Sequence, residues 1–258
     1  MRTICFISHK GGVGKTTLAA CLAVAGQEMG YRVGLLDLDT PTLGLTRFVG
    51  LRGRQGLASP LMLNSPLLPA ARTQTSKEAG AVIGAAVTEA KALGLTLFLI
   101  DLEAVTNALW LKAAACLVSD QVVTPVADSP LDLEAILPEL GEGDLAQFMH
   151  SAGRRRPDWI VVRNRSAHLR TRLAETLSER LRSGAGAAGY RFIDGLSDRV
   201  AYREMFHHGR TPLDSPAEAR PLSISLIAAR SELRRLATGL LDGAPRLAAP
   251  DWRSAAGL

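Results

Sequence analysis

The 258-residue chain has only three cysteines, Cys5, Cys21 and Cys116. No two of them have metal-ligand spacing and they form no framework, which suits reduced thiols in a cytoplasmic protein. Long apolar runs are missing as well: none approaches the roughly 20 residues of a membrane-spanning helix. The first residues enter an apolar strand pattern directly, so no signal peptide is expected. Lysine is absent from residues 150–258, which hold 19 arginines against 11 acids, net +8, whereas residues 1–149 hold 11 bases against 14 acids, net −3. An arginine-rich half has two readings, phosphate contacts with nucleic acid or arginine placed on solvated helices by coding bias. Length and an apolar content of 47% fit one large α/β domain with a sizeable core.

A further absence lies at the start of the chain. The phosphate-loop pattern G-x-x-x-x-G-K-[ST] fits around Gly14, Lys15 and Thr16, but its first glycine is replaced by His9. In compensation an early lysine, Lys10, stands two residues ahead of Gly12. The apolar run 3–8 before the loop reads as a buried strand, and residues 18–29 after it have helical spacing. Strand, glycine loop and helix form the context that the motif needs. Gly11, Gly12 and Gly14 allow close backbone approach, so that loop N–H groups, with those of Val13 and Thr17, point at phosphate oxygens on the positive end of the helix. Lys15 reaches the β- and γ-phosphates, and the Thr16 hydroxyl is a ligand for Mg²⁺.

The stretch KGGVGKTT at 10–17 resembles the deviant Walker A box of the ParA/MinD ATPases. The resemblance implies a doubly wound, mostly parallel α/β P-loop fold, two subunits that sandwich two ATP molecules, and a Lys10 that reaches the partner's nucleotide as an arginine finger does. The lack of clustered thiolates argues against the iron–sulfur members of the wider family.

Residues 31–39 read as a second buried strand ending in Asp37 and Asp39. Alternation puts both acids on one side, at the ligand end of a parallel strand. By the resemblance, Asp39 positions the attacking water and Asp37 lies near the magnesium shell. Residues 42–49 suggest a short helix, and 51–71 a loop without period over the nucleotide edge. A helix is expected over 76–93 with Ser76 as N-cap and Gly94 past its end. The run 95–101 has the Walker B form, an apolar strand that delivers Asp101 to the Mg²⁺ shell. The family continues there with small residues, whereas this chain has Leu102, Glu103 and Ala104. Glu103 either adds a negative charge beside the γ-phosphate and slows hydrolysis, or turns away to cap a helix starting near Val105.

A strand is expected over 120–126, a helix kinked at Pro138 over 129–149, a basic turn at 151–157 and a strand over 159–164. The segment DWIVVRNR at 158–165 resembles the MipZ branch of the family, as do 195–206, 211–214 and 220–225. In ParA-like proteins the asparagine at this strand end reads adenine, which assigns Asn164 that role. An arginine-rich helix over 168–182, a flexible connector at 183–189, a strand at 190–194 and a closing helix at 223–240 follow. The branch implies sequence-independent DNA contacts on the dimer, for which Arg199, Arg203 and Arg220 are candidates. The adjacent His207 and His208 are a pH-sensitive or metal pair, or simply solvent-facing.

The expectation is therefore a single ATPase domain over 1–240 with a loose tail at 241–258. Its ligands are ATP and Mg²⁺, and its partners a second copy, nonspecific DNA, a ParB-like protein and the division protein FtsZ. Cytoplasmic, nucleoid-associated localisation and weak turnover are implied. A ParA-like partition or cargo-positioning ATPase, a metabolic P-loop enzyme and a degenerate nucleotide binder are the alternatives.

Overall fold

A computed structural model describes residues 1–39, 42–63, 75–103, 109–129, 132, 134–137, 157–166, 172–214 and 222–242. Seven strands, β1 (Arg2–Phe6), β2 (Val33–Leu38), β3 (Leu61–Met62), β4 (Leu97–Leu102), β5 (Gln121–Val126), β6 (Asp158–Arg163) and β7 (Arg191–Asp194), form one sheet in the order β3-β2-β4-β1-β5-β6-β7. Every pairing is parallel. The helices are α1 (Lys15–Glu28), α2 (Gly44–Arg54), α3 (Ser76–Ala92), α4 (Leu109–Val118), α5 (Arg172–Ala188), α6 (Val200–Arg203), α7 (Met205–His208) and α8 (Ile224–Leu241).

All six residues of β2, of β4 and of β5 are buried, because a parallel sheet covered on both faces leaves no strand side for water. Alternation along β4 divides its side chains between two cores. Leu97 and Leu99 join Leu22 of α1 and Leu236 of α8, whereas Phe98 and Ile100 join Ile83 of α3 and Leu111 of α4. The doubly wound parallel fold is as expected, and every expected strand within the described residues is present.

Several boundaries differ. Residues 183–188, expected as a flexible connector, are the last turns of α5. A Cβ at Gly184 would collide with Leu137 Cδ2, so the glycine allows a close helix contact, and the alanines around it are good helix formers. The N-cap of α3 is Thr75 and not Ser76. The Thr75 hydroxyl accepts from Glu78 N and the Glu78 carboxylate accepts from Thr75 N, a reciprocal capping box. The region read as an unpatterned loop from residue 51 contains the last turn of α2 and the edge strand β3. The expected kinked helix at 129–149, the basic turn at 151–157 and the tail at 241–258 fall largely outside the described residues, and Leu241, expected in the tail, is the last residue of α8. No helix among the described residues is long and apolar enough to cross a membrane.

The extended α2 has a cause in Arg52, which is 1% exposed. Its guanidinium donates to both Asp214 oxygens at 2.7 and 2.9 Å, to Ala58 O and to Gly209 O. Burial raises the Asp214 carboxyl, but Arg52 and Thr211 outweigh it and hold the group below the usual carboxylate range. This contribution is complete above that range and fades as pH falls into it. Arg52→Met leaves Asp214 without its counter-charge and is expected to cost about 3–5 kcal/mol in urea unfolding at pH 7. The deficit should shrink at pH 4.

Candidate functional site: a phosphate loop at the carboxyl ends of the strands

β1 ends at Phe6, and the glycine loop carries the chain into α1 at Lys15. Gly12 and Gly14 have φ of 79° and 93°, which glycine adopts without strain. A Cβ at Gly14 would also collide with Asn164 Nδ2. Asn164 is 1% exposed. It donates from Nδ2 to Val13 O at 2.8 Å and accepts at Oδ1 from Leu196 N at 3.3 Å. Its neighbour Arg165, with φ 54°, donates to Gly12 O at 2.7 Å. The end of β6 thus satisfies two loop carbonyls. Loop N–H groups and the first turn of α1, which has no acidic residue, remain as an anion cradle.

Lys15 is 6% exposed. Its ammonium donates to Ser8 Oγ at 2.9 Å, and Ser8 Oγ donates to Lys10 O at 2.7 Å. Burial lowers the Lys15 pKa, while Asp101, Asp39 and Glu103 oppose that shift. An ammonium held in this way is desolvated in advance and ready for a phosphate.

The acids meet it by register. Asp37 pairs with Asp101 across β2 and β4, one strand spacing apart. Asp37 accepts from Thr46 N at 2.9 Å and Thr46 Oγ1 at 3.0 Å, so it also fixes the start of α2. Asp101 is 0% exposed, and neither of its oxygens has a hydrogen-bond partner. Burial pushes its carboxyl up to about 7, with the Thr16 hydroxyl pulling down, Asp37 pushing up and Lys15 pulling down. An orphaned buried carboxylate beside a threonine hydroxyl at a phosphate cradle fits a divalent cation. Asp101 and Thr16 would hold it, with Asp37 adjacent. Among the described residues no three carboxylate, imidazole or thiolate side chains gather as a closed metal site, so phosphate and water would supply the other ligands. Asp39 lies one strand period beyond Asp37, with Oδ2 accepting from Thr42 Oγ1 at 2.8 Å.

The cleft above these groups measures about 550 Å³. Its phosphate end has Gly11, Gly12, Lys15, Thr16, Asp39 and Glu103, and its far end has Asn164, Arg165, Ser197, Asp198 and Arg203. Asn164, expected as the adenine reader, does line the cleft, but half of its amide capacity joins the phosphate loop to the 195–198 segment. Lys10 does not line the cleft. Its ammonium is 2.7 Å from Asp132 Oδ1 and 3.5 Å from Ser129 Oγ. Sequence reasoning missed Ser8, Asp132, Arg165 and Asp198. Arg165, beside Asn164 in the strand-end motif, was the one with a local signal.

Of the candidate DNA contacts, Arg199 is engaged within the chain. Its side chain is 14% exposed and forms a bidentate pair with Glu232, which also accepts from Ser197 Oγ. It ties the cleft rim to α8 and is not an open surface charge. Arg203 is 60% exposed and 3.7 Å from Asp198. Arg220 lies outside the described residues. His207 and His208 have ring centroids 6.3 Å apart with no metal group among the described residues.

Parallel sheet, glycine loop, buried lysine and paired strand-end acids define a P-loop nucleotide-binding site. A family model described as ATPase MipZ matches residues 2–140 and 144–242, and the chain belongs to this family. Among solved structures, an ATP complex of an aspartate-to-alanine variant of McdA from Cyanothece is 16% identical with a TM-score of 0.63, over 96% of this chain and 98% of that one. The MinC:MinD cell division protein complex of Aquifex aeolicus is 15% identical with a TM-score of 0.59, over 96% and 99%. Both likenesses concern the fold. An iron-sulfur cluster carrier protein of Aquifex aeolicus is 52% identical over 48 residues, 19% of this chain and 13% of that protein. The first curated relatives are thus matched over no more than 13–20% of their own length.

Because the Asp101 carboxyl is raised, its ionised form costs the folded chain stability. That cost grows as pH climbs from the ordinary carboxylate range to about 7 and then levels off. Asp101→Asn is therefore expected to raise the melting temperature of the nucleotide-free protein by roughly 2–4 °C at pH 8 and by less at pH 5. It should also abolish the Mg²⁺ dependence of nucleotide binding. Thermal melts at both pH values, with and without Mg²⁺–ADP, check this.

Proposed function

We propose that this MipZ-family ATPase is a dimerising switch that binds ATP, closes on a second copy, holds DNA without sequence preference and opens on slow hydrolysis. It would serve division-plane or partition positioning. The observation that supports it best is the placement of Lys10. The early lysine of the loop points away from its own cleft to Asp132 and Ser129, so its phosphate would be one presented by a second subunit. In that reading Lys15 and the loop N–H groups bind the phosphates, Asp39 orients the attacking water and Lys10 supplies positive charge across the interface. A divalent cation at Asp101 and Thr16 would neutralise phosphate charge. Asn164 would meet the adenine edge with its remaining donor and acceptor.

ATP shifts such an equilibrium only as far as its differential contacts allow. Here the trans contact of Lys10 is the differential one. Arg203, on the cleft rim, is the described arginine retained as a DNA-contact candidate. A ParB-like protein and FtsZ are the partners the family reading suggests. The ParA-like cargo-positioning alternative shares this chemistry and differs in partner.

Light scattering tests the switch. A monomer with ADP and a dimer with a nonhydrolysable ATP analogue are expected, and Asp39→Ala should remain dimeric in ATP. Lys10→Ala should bind nucleotide but stay monomeric. A monomer under every condition would remove the sandwich. On the dimer, Arg203→Ala is expected to weaken DNA retention about uniformly across sequences and to lower its salt dependence.

A further inference from the structure

The parallel pairing of β2 with β4 sets Asp101 alongside Asp37 and ends at Leu38 and Leu102, and Asp39 and Glu103 are the next residues of the two chain segments. Glu103 and Asp39 both line the phosphate end of the cleft, with Lys15. Glu103 lines the cleft, and the helix start near Val105 that it could instead cap lies outside the described residues. Its charge acts on Lys15 and on Lys112 of α4. Lys112 does not line the cleft, and Lys10 is engaged with Asp132. The phosphate end of one subunit therefore has two half-buried carboxylates against one lining lysine, with Asp101 and Asp37 beneath.

We propose that Glu103 is a specificity-determining residue that discriminates nucleoside triphosphate from diphosphate by repelling the terminal phosphate in a single subunit. This rests on the nucleotide-switch reading of the site. The charge of a γ-phosphate would be added at the end where Asp39 and Glu103 stand, whereas the α- and β-phosphates would rest on the loop N–H groups, and Lys15 would be shared between the β- and γ-phosphates. Repulsion falls with distance, so Glu103 weakens triphosphate binding more than diphosphate binding. A cation brought by a second copy, Lys10 in the switch reading, offsets the same field. Triphosphate retention thereby becomes coupled to closure, and an isolated subunit is biased to the diphosphate state.

The test uses the full chain with Mg²⁺, titrated with ADP and with AMPPNP at protein concentrations where light scattering gives a monomer. Glu103→Gln removes the charge at nearly constant shape, and Glu103→Asp keeps it. Glu103→Gln is expected to tighten AMPPNP roughly fivefold and ADP less than twofold, with Glu103→Asp retaining the wild-type ratio. Raising salt should narrow the gap between wild type and Glu103→Gln. An unchanged AMPPNP-to-ADP ratio in a Glu103→Gln protein with a wild-type melting curve would overturn the proposal. So would loss of turnover at unchanged affinities, which would assign Glu103 to the water. Failure of wild type to bind either nucleotide would overturn the switch reading itself, a result distinct from an unchanged ratio.

Discussion

The site depends on one buried carboxylate. Asp101 is carried into the centre of the sheet by five apolar neighbours in β4, and the strand offers it no donor. An ionised carboxylate in such a place is unfavourable unless a cation meets it. The groups around it follow from that need: Lys15 and Thr16 on the first turn of α1, and Asp37 in register on the next strand. Asp37 cannot relieve Asp101, since it carries the same charge and is itself held by Thr46. The sheet thus concentrates negative charge at the point where a glycine loop concentrates N–H groups, and a metal–phosphate pair would satisfy both.

A second constraint joins the two halves of the cleft. The phosphate loop lies at the end of β1, while the segment facing the far end of the cleft follows β7, at the sheet edge. Asn164 and Arg165 connect them through the carbonyls of Val13 and Gly12 and the N–H of Leu196. Both side chains leave the end of β6, two strands from β1. The loop is therefore set by its own glycines and also by a clamp from 150 residues away. A substitution at Asn164 would consequently disturb phosphate and base binding together.

The loop and its flanking elements could be read from residue order, because glycine, lysine and hydroxyl positions are local chemistry. The acids Asp37, Asp39 and Asp101 could be read for the same reason: each ends an apolar run, and parallel strands present their carboxyl ends to one crevice. Partner choice could not. Nothing near Lys10 in sequence indicates Asp132, and nothing near Arg199 indicates Glu232, because both contacts arise from how loops and helices cross the sheet. The connector at 183–188 was misread because its glycines suggested flexibility, whereas Gly184 serves a close contact with Leu137. Glu103 was undecidable locally, since a strand-end acid faces a ligand or a helix start with equal ease, and its place in the cleft lining is a tertiary fact.

The arginine-rich half shows why composition gives direction without location. Arg163 pairs with Asp128, Arg182 with Asp194, Arg191 with Asp158, Arg199 with Glu232 and Arg234 with Glu28. Arg230 donates to the carbonyls of Pro212 and Asp214. Arg163, Arg199 and Arg230 thus tie a strand end, α8 and the cleft rim through partly buried contacts, which a guanidinium makes better than a lysine, whereas the exposed pairs of Arg182, Arg191 and Arg234 add little. The absence of lysine from this half is then consistent with structural work. A phosphate-binding surface would have to draw on what remains, and Arg203 is well placed because its exposed guanidinium stands at the mouth of the cleft beside Asp198. Any anion that engaged it would do so beside the cleft, so occupancy of the cleft and charge at the rim are physically adjacent. That adjacency would let one binding event alter the other without a long structural relay.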